Sequence, residues 1–336
     1  MPNLSFSSTR RRAGVALGLA AAGLLTGAGA FAQAWPTGKA ITLVVGYPPG
    51  GSTDMVGRTV AEALAKRLGT PVVVENIGGA GGTIGAQKVA NATPDGYTLL
   101  LAANNEISIA PMFNTAIKYK SETDFTPIGM VGFTPMVFVA GPKVGVKTLD
   151  EALAKSKREP NRLSFASSGV GTALHVSGEL VNLMAGTTFR HIPYRGAAQM
   201  TQDLLGGNVE FGVFVLTSAL PHIESGKMIP LGVTTTARSR AAPQIPALGE
   251  NARLKGYDMN VWFGLFGPAK MPAPMVARLN KELNELLRDQ DIWQKLQKAG
   301  ISNDGGTAKA LADAVRTETA RVRGVVTKAV ATGAAS

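Results

Sequence analysis

The chain has no cysteine, which excludes disulfides, thiolate metal sites, cysteine nucleophiles and the lipid-bearing cysteine of a bacterial lipoprotein. Histidine is nearly as scarce. His175, His191 and His222 are the only three; they form neither His-x-x-x-His nor His-x-x-Glu-His, and no metal site or other cofactor is expected. Acidic residues are the scarcer charge, 23 against 34 lysines and arginines. A positive field of this kind draws anions to the surface without choosing among them. No internal repeat and no low-complexity tract stands out, and only the short tail Thr332 to Ser336 is expected to be disordered.

Glycine is abundant, at 40 residues, and its placement organises the chain. Ile41 to Val45 is a β-branched apolar run that reads as a buried strand, and Pro48-Pro49-Gly50-Gly51 ends it abruptly. Ser52 or Thr53 is the expected N-cap of a helix, with Asp54 in its first turn and Met55, Val56, Val60, Ala63, Leu64 and Leu68 at helical spacing. A helix that starts this way directs unpaired N–H groups and partial positive charge into the space above the strand, which suits an anion. Pro71 to Asn76 is a second strand, running into Gly78-Gly79-Ala80-Gly81-Gly82 and a helix from Thr83 to Ala92. Pro94-Asp95-Gly96 is a turn, and Tyr97 to Ala102 a third strand ending at Asn104-Asn105. This alternation predicts a parallel sheet covered by helices. Its ligand loops, Pro48 to Thr53, Gly78 to Gly82 and Asn104-Asn105, would gather beyond the carboxyl ends of the strands.

Met1 to Ala32 has the parts of an export signal: Arg10-Arg11-Arg12, an apolar segment from Ala13 to about Leu25, and Ala30-Phe31-Ala32, with cleavage expected after Ala32. An uncleaved membrane anchor is the competing reading of the same segment. It holds three of the basic residues and none of the acidic ones, so the mature chain keeps a net excess of eight positive charges.

Thr126 to Pro142 is too long an apolar run for one plain strand and reads as a passage into a second domain. Strand and helix signals then restart: helix Thr148 to Arg158, strand Leu163 to Ser167, helix Gly171 to Ala185, strand Thr188 to Pro193, helix Ala197 to Leu205, strand Val209 to Val215, helix Ser218 to Ser225 and strand Ile229 to Thr235. Tyr257 to Pro268 is a second long apolar crossing. Pro272 and Pro274 then start a helix carrying Val276 to Leu296, and a last helix runs from about Thr307 to Val330. The expected boundaries are a signal at 1–32, domain one at 33–134, domain two at 135–251 and a return to domain one at 252–336.

Ser164 to His175 is a second strand, glycine turn and helix, where Ser167, Ser168 and Thr172 offer hydroxyls beside free N–H groups at Gly171 and Ala173. Charge-assisted hydrogen bonds of ~1.5–3 kcal/mol each from two such cradles reach the roughly −8 kcal/mol of a micromolar complex after entropic costs. Enzyme motifs fit poorly. Gly78 to Gly85 is not a dinucleotide fingerprint, no phosphate-loop lysine follows Gly50 or Gly81, and Ser167-Ser168-Gly169 lacks the leading glycine of a nucleophile elbow. His175 either lines the second cradle or bonds a carbonyl as a buried histidine. Arg195 either pairs with a carboxylate or is a solvated loop arginine. Tyr47 and Phe214 at strand ends either stack on a ligand or pack in the core. Asp54 is expected to stabilise its helix or to orient the loop by accepting N–H bonds.

Tyr47-Pro-Pro-Gly-Gly-Ser-Thr-Asp54, Val74-Glu-Asn-Ile-Gly-Gly-Ala-Gly-Gly82, Pro94-Asp-Gly-Tyr-Thr98, Ser167-Ser-Gly-Val-Gly-Thr-Ala-Leu-His175, Pro193-Tyr-Arg-Gly-Ala197, Ser218 to Lys227 and Trp262-Phe-Gly-Leu-Phe266 follow one another in order. In them the chain resembles the substrate-binding proteins of tripartite tricarboxylate transporters, the Bug family. The resemblance covers the whole mature chain. It implies a two-lobed α/β type II periplasmic binding protein fold, two mixed sheets flanked by helices with a cleft between them, and no enzymatic activity. It further implies a small carboxylate ligand, a membrane permease as partner, no nucleic acid and a monomer. By the resemblance Gly51, Ser52, Ser168, Thr172 and Ala173 carry over as ligand contacts, and Tyr47, Gly50, Thr53, Gly81, Asn104, Ser167, Gly171, His175, Tyr194, Arg195 and Phe214 complete the candidate site. Many members have an acidic residue in the strand matching Val209 to Leu216, where Phe214 and Val215 stand here. That departure disfavours an amino-acid ligand and favours a plain or aromatic carboxylate. The readings from other classes are a periplasmic hydrolase using Ser168 and His175, and a sensor subunit that docks on a receptor.

Overall fold

The computed structural model describes residues 35–331 apart from 195, 299 and 303–304, and the fold is that of Gly38–Ser336. The expected export signal and Arg195 lie outside the described residues. In chain order the elements are β1 (Ile41–Val45), α1 (Ser52–Leu68), β2 (Val72–Asn76), α2 (Thr83–Ala90), β3 (Thr98–Ala103), a π-helical turn Asn105–Ile109 leading into α3 (Ala110–Phe113), and β4 (Phe125–Ala140). Then come α4 (Leu149–Arg158), β5 (Ser164–Ser167), α5 (Ala173–Ala185), β6 (Arg190–Pro193), α6 (Ala197–Gly206), β7 (Phe211–Val215), α7 (Leu216–Glu224) and β8 (Ile229–Val233). The chain ends with β9 (Asn260–Pro268), α8 (Ala273–Leu287), α9 (Gln290–Lys298) and α10 (Ala308–Ala331).

The strands follow one path, β2-β1-β3-β9-β4-β7-β5-β6, with β8 on β4. The apolar run expected to be too long for a plain strand is a single strand of 16 residues, but it changes partners in its middle. Phe125 to Pro135 pair with β9, while Met136 to Ala140 pair with β7 and β8. Register shifts after Pro127 and Met130 bend it. A β-carbon on Gly132 would lie 2.2 Å from the Ser302 carbonyl oxygen, so only glycine fits where that segment crosses the strand.

Sharing β4 divides the path into two mixed sheets, β2-β1-β3-β9-β4 and β6-β5-β7-β4-β8. In both, three parallel strands are followed by an antiparallel one and a fifth antiparallel to that. The two sheets share this topology without a repeat in the sequence, and β1 and β5 occupy equivalent positions in them. One core holds Val44, Leu100, Ala102, Trp262 and Phe266, and another Phe138, Phe165, Phe189 and Phe211; each large apolar side chain buried this way contributes ~1.5–3 kcal/mol. Helix α10 serves both, with Leu311 and Val315 in the first core and Val322 and Val325 in the second. The single helix expected from Pro272 through Leu296 is two. Asp289 Oδ1 accepts from the N–H groups of Asp291 and Ile292 at 2.9 and 3.3 Å, which starts a new helix at that point.

Candidate ligand-binding site

β1 runs into Gly46-Tyr47-Pro48-Pro49-Gly50-Gly51, and α1 begins at Ser52 with Gly51 as its N-cap and no side-chain cap. The capping expected of Ser52 or Thr53 is not made, because both already lie within the first turn. The first helical bond in the chain direction is from Met55 N to Gly51 O, 3.0 Å, so the N–H groups of Ser52, Thr53 and Asp54 have no partner within the helix. Gly50, Gly51 and Ser52 are exposed, whereas Thr53 is buried and offers only its backbone. Asp54 orients the loop as expected. Its Oδ2 accepts from Gly50 N at 2.9 Å and Arg58 Nε at 3.0 Å, and its Oδ1 from Asn76 Nδ2 at 2.8 Å. Burial pushes the Asp54 carboxyl up, but these donors outweigh burial and hold it down at about 2.

The loops after β2 and β3 close on this one. Gly81, at φ 67°, turns its carbonyl to Asn105 Nδ2, which donates at 2.7 Å. The same carbonyl lies 3.1 Å from Tyr47 Oη, and Tyr47 Oη lies 2.7 Å from Glu106 Oε2. Glu106 is completely buried, and its Oε1 accepts from Ala103 N at 2.8 Å. Burial pushes its carboxyl up to about 7 despite these donors. Helix α2 also starts without a side-chain cap, at Gly82.

In the second sheet β5 leads through Ser168-Gly169-Val170-Gly171 into α5, with Thr172 as N-cap. Thr172 Oγ1 accepts from His175 N at 3.3 Å and donates to Gly169 O at 2.8 Å. Gly171 N donates to His175 Nδ1 at 3.1 Å, so the neutral ring carries its proton on Nε2. The rings of His175 and His191 stack 3.9 Å apart. Burial lowers His175 to about 4, and burial followed by the neighbouring His175 lowers His191 to about 3. Phe113 of α3 covers this loop, its ring 5.5 Å from that of His175, and a β-carbon on Gly171 would lie 3.3 Å from it.

Tyr47, Gly50, Gly51, Ser52, Thr53 and Gly81 thus meet at one cradle, and Ser168, Gly171, Thr172, Ala173 and His175 at the other. Four candidates stand apart. Asn104 is buried and donates to Asn260 O at 2.8 Å and Glu318 Oε1 at 2.7 Å. Phe214 is a core residue packed with Val137, Val139 and Met200. Ser167 is fully buried, its Oγ 2.6 Å from His191 Nε2. Tyr194 donates its hydroxyl to Asp203 at 2.8 Å, and burial and then that bond raise its pKa to about 12. Sequence reasoning missed Glu106 and His191. A lone acid at the end of an apolar strand, with no basic neighbour, was the available signal for the first. Ser168 and His175 are not assembled as a dyad, since the hydroxyl that meets an imidazole is that of Ser167. Among the described residues no cluster of histidine and acid side chains could hold a metal.

The architecture, with matching strand-to-helix turns in two linked sheets, is that of a two-lobed periplasmic binding protein. Residues 56–330 match the model of the Tripartite tricarboxylate transporter family receptor, and the chain belongs to that family. BugT of Bordetella pertussis is 33% identical over 322 residues, covering 95% of this chain and 97% of BugT. Among the solved structures similar to this chain are three with named relatives or bound ligands. The periplasmic binding protein BugD is 33% identical, with TM-score 0.70 over 86% of this chain and 97% of its own. Rpa4515 of R. palustris with adipate is 30% identical, with TM-score 0.74 over 88% and 98%. MatC of Rhodopseudomonas palustris with bound malate is 30% identical, with TM-score 0.71 over 85% and 98%. These relatives are substrate-binding proteins rather than enzymes.

Proposed function

We propose that the chain is a periplasmic solute-binding protein that captures a small dicarboxylate by closure of its lobes and hands it to a tripartite tricarboxylate-type permease. The observation that carries this reading is the topological equivalence of the β1–α1 and β5–α5 turns, each a glycine loop ending at a helix N-terminus. Two such N-termini suit the two carboxylates of one ligand, and the adipate and malate of the related structures are both dicarboxylates. Gly50 to Ser52 and the uncapped first turn of α1 hold one carboxylate, and Ser168, Thr172, Ala173 and the His175 Nε2–H the other. The first lobe is built from 33–134 and 252–336 and the second from 135–251, with the change of partners at Pro135 and Met136 supporting a hinge there. The protein is exported with a signal removed after Ala32, is not a lipoprotein, works as a monomer without a cofactor, and binds no nucleic acid.

The test is a thermal-shift panel of di- and tricarboxylates, aromatic acids, aspartate, glutamate and nucleotides on the chain from Gln33. A saturable stabilisation of ~2–4 kcal/mol by one carboxylate at a hundred or more times its dissociation constant is expected. A response confined to nucleotides, or consumption of an ester, would end this reading in favour of an enzyme. A tight preference for aspartate or glutamate would instead sink the plain-carboxylate assignment.

A further inference from the structure

Tyr47 has one hydroxyl proton and two acceptors within reach, Gly81 O at 3.1 Å and Glu106 Oε2 at 2.7 Å. Glu106 Oε1 is already fixed as an acceptor by Ala103 N, so any proton on this carboxyl sits on Oε2. With it there, Glu106 donates to Tyr47 and Tyr47 donates to Gly81 O. Every contact is then satisfied, and the loops after β1, β2 and β3 are tied through one chain of hydrogen bonds. Without it, Tyr47 turns its proton to the carboxylate, and Gly81 O keeps only its bond from Asn105.

We propose that Glu106 is a positioning residue for the first cradle, and that binding an anionic ligand there draws one proton from solvent onto Glu106. The inference rests on the reading of the cradle as a carboxylate site. Two like charges, one on the ligand and one buried beneath the loop that holds it, oppose each other in a medium of low dielectric. A neutral Glu106 removes that opposition and stiffens the loop.

The titratable groups around Glu106 are few. Tyr47 meets it from the β1 loop, and the Tyr119 hydroxyl donates to its backbone carbonyl. Among the described residues no cation bonds to it. Burial pushes Glu318, on α10, up to about 7 as well, but its oxygens accept from Asn104 and from Trp262 Nε1, away from the Tyr47 loop. His175 and His191 titrate well below neutrality.

Two measurements test the proposal. In the ligand-free protein, the carbon-13 resonance of the Glu106 carboxyl, assigned by its loss in Glu106→Gln, is expected to titrate near pH 7. A midpoint below 5 overturns the proposal whether or not any ligand binds. With adipate as probe, titration calorimetry at pH 7.5 in two buffers of different ionisation enthalpy is expected to show proton uptake approaching one per ligand. The dissociation constant should rise by up to tenfold per pH unit above neutrality. In Glu106→Gln, whose amide donates to Tyr47 at every pH, uptake should vanish and affinity should be flat from pH 6 to 8, while Glu318→Gln should retain both effects. Wild-type binding with no uptake, or uptake that persists in Glu106→Gln, overturns the proposal. Tyr47→Phe provides a second handle if that variant fails to fold: it cuts the tie and should weaken adipate binding more at pH 6 than at pH 8, and equal loss at both overturns the proposal. No response to adipate or malate at all would count against the dicarboxylate reading, and the carboxyl titration would still decide the role of Glu106.

Discussion

Gly46 and Gly82 lie so close that a β-carbon on Gly46 would sit 2.7 Å from the Cα and the carbonyl oxygen of Gly82. Both neighbouring atoms are backbone, so nothing flexible can yield. Gly46→Ala is expected to push the β1 loop off the β2 loop and cost about 1–3 kcal/mol, lowering Tm by several degrees. The same displacement separates Tyr47 from Gly81, so dicarboxylate affinity should fall further than stability alone requires. Paired thermal melts and binding titrations of this variant check both effects.

Asp54 gives the same loop its internal order through Gly50, Asn76 and Arg58. Asp54→Asn keeps the shape but removes the charge that holds Arg58, and should cost roughly 1–2 kcal/mol at pH 7. The sign of its pH dependence follows from a carboxyl held below its ordinary value. The contribution is present above pH 4 and is lost as pH falls towards 2. Urea unfolding of wild type and variant should therefore differ at pH 7 and converge near pH 2.

Much of this was legible from local pattern. The runs around Ile41, Val72 and Leu99 are short, apolar and bounded by glycine or proline, and each became a strand at those positions; β1 and β3 are buried, whereas β2, at the sheet edge, has no buried residue and leaves Val73 exposed. The loop-orienting role of Asp54 follows from residue type alone. What the pattern could not carry is pairing. Phe125–Ala140 looked too long because its two halves serve different sheets, a tertiary fact with no local signal. Ser167, Asn104 and Phe214 have the residue types of ligand contacts. Whether a strand-end side chain faces the loop or the core depends on a register that neighbouring strands set. Glu106 escaped notice because the π-helical turn that buries it follows the strand where only a loop was expected.

His175, buried, and His191, partly buried, stack on each other and oppose acid conditions. Both are held well below the 6.5 of an exposed histidine, so the fold favours the neutral rings. That stability is fully present above pH 6.5 and is lost as pH falls towards 4 and then 3. Between pH 7.5 and 5 the loss should reach up to roughly 2 kcal/mol for each ring. The raised carboxyls of Glu106 and Glu318 act in the opposite sense, gaining stability as pH falls through 7, so the net curve alone does not separate them. His191→Gln does, because it removes one titrating ring. Its stability difference between pH 7.5 and 5 should shift in favour of pH 5 by about 2 kcal/mol relative to wild type, as measured by urea unfolding.

Ser167 and Ser168 are adjacent in sequence and have opposite roles by burial. Ser167 is fully buried on β5 with its hydroxyl against His191 Nε2 and the Gly169 backbone. Ser167→Ala leaves the partly buried Nε2 of His191 without its partner and should cost about 1–3 kcal/mol of stability. Ser168 is partly exposed at the mouth of the loop, where its hydroxyl is available to a ligand carboxylate. Ser168→Ala should leave Tm within a degree or so, because a surface substitution of this kind costs under about 0.5 kcal/mol. Yet it should weaken dicarboxylate binding roughly tenfold, the equivalent of one hydrogen bond to a charged group. If Ser168→Ala binds as wild type while Ser167→Ala loses affinity without losing stability, the second cradle is built on the buried hydroxyl, and the ligand lies deeper than the loop surface.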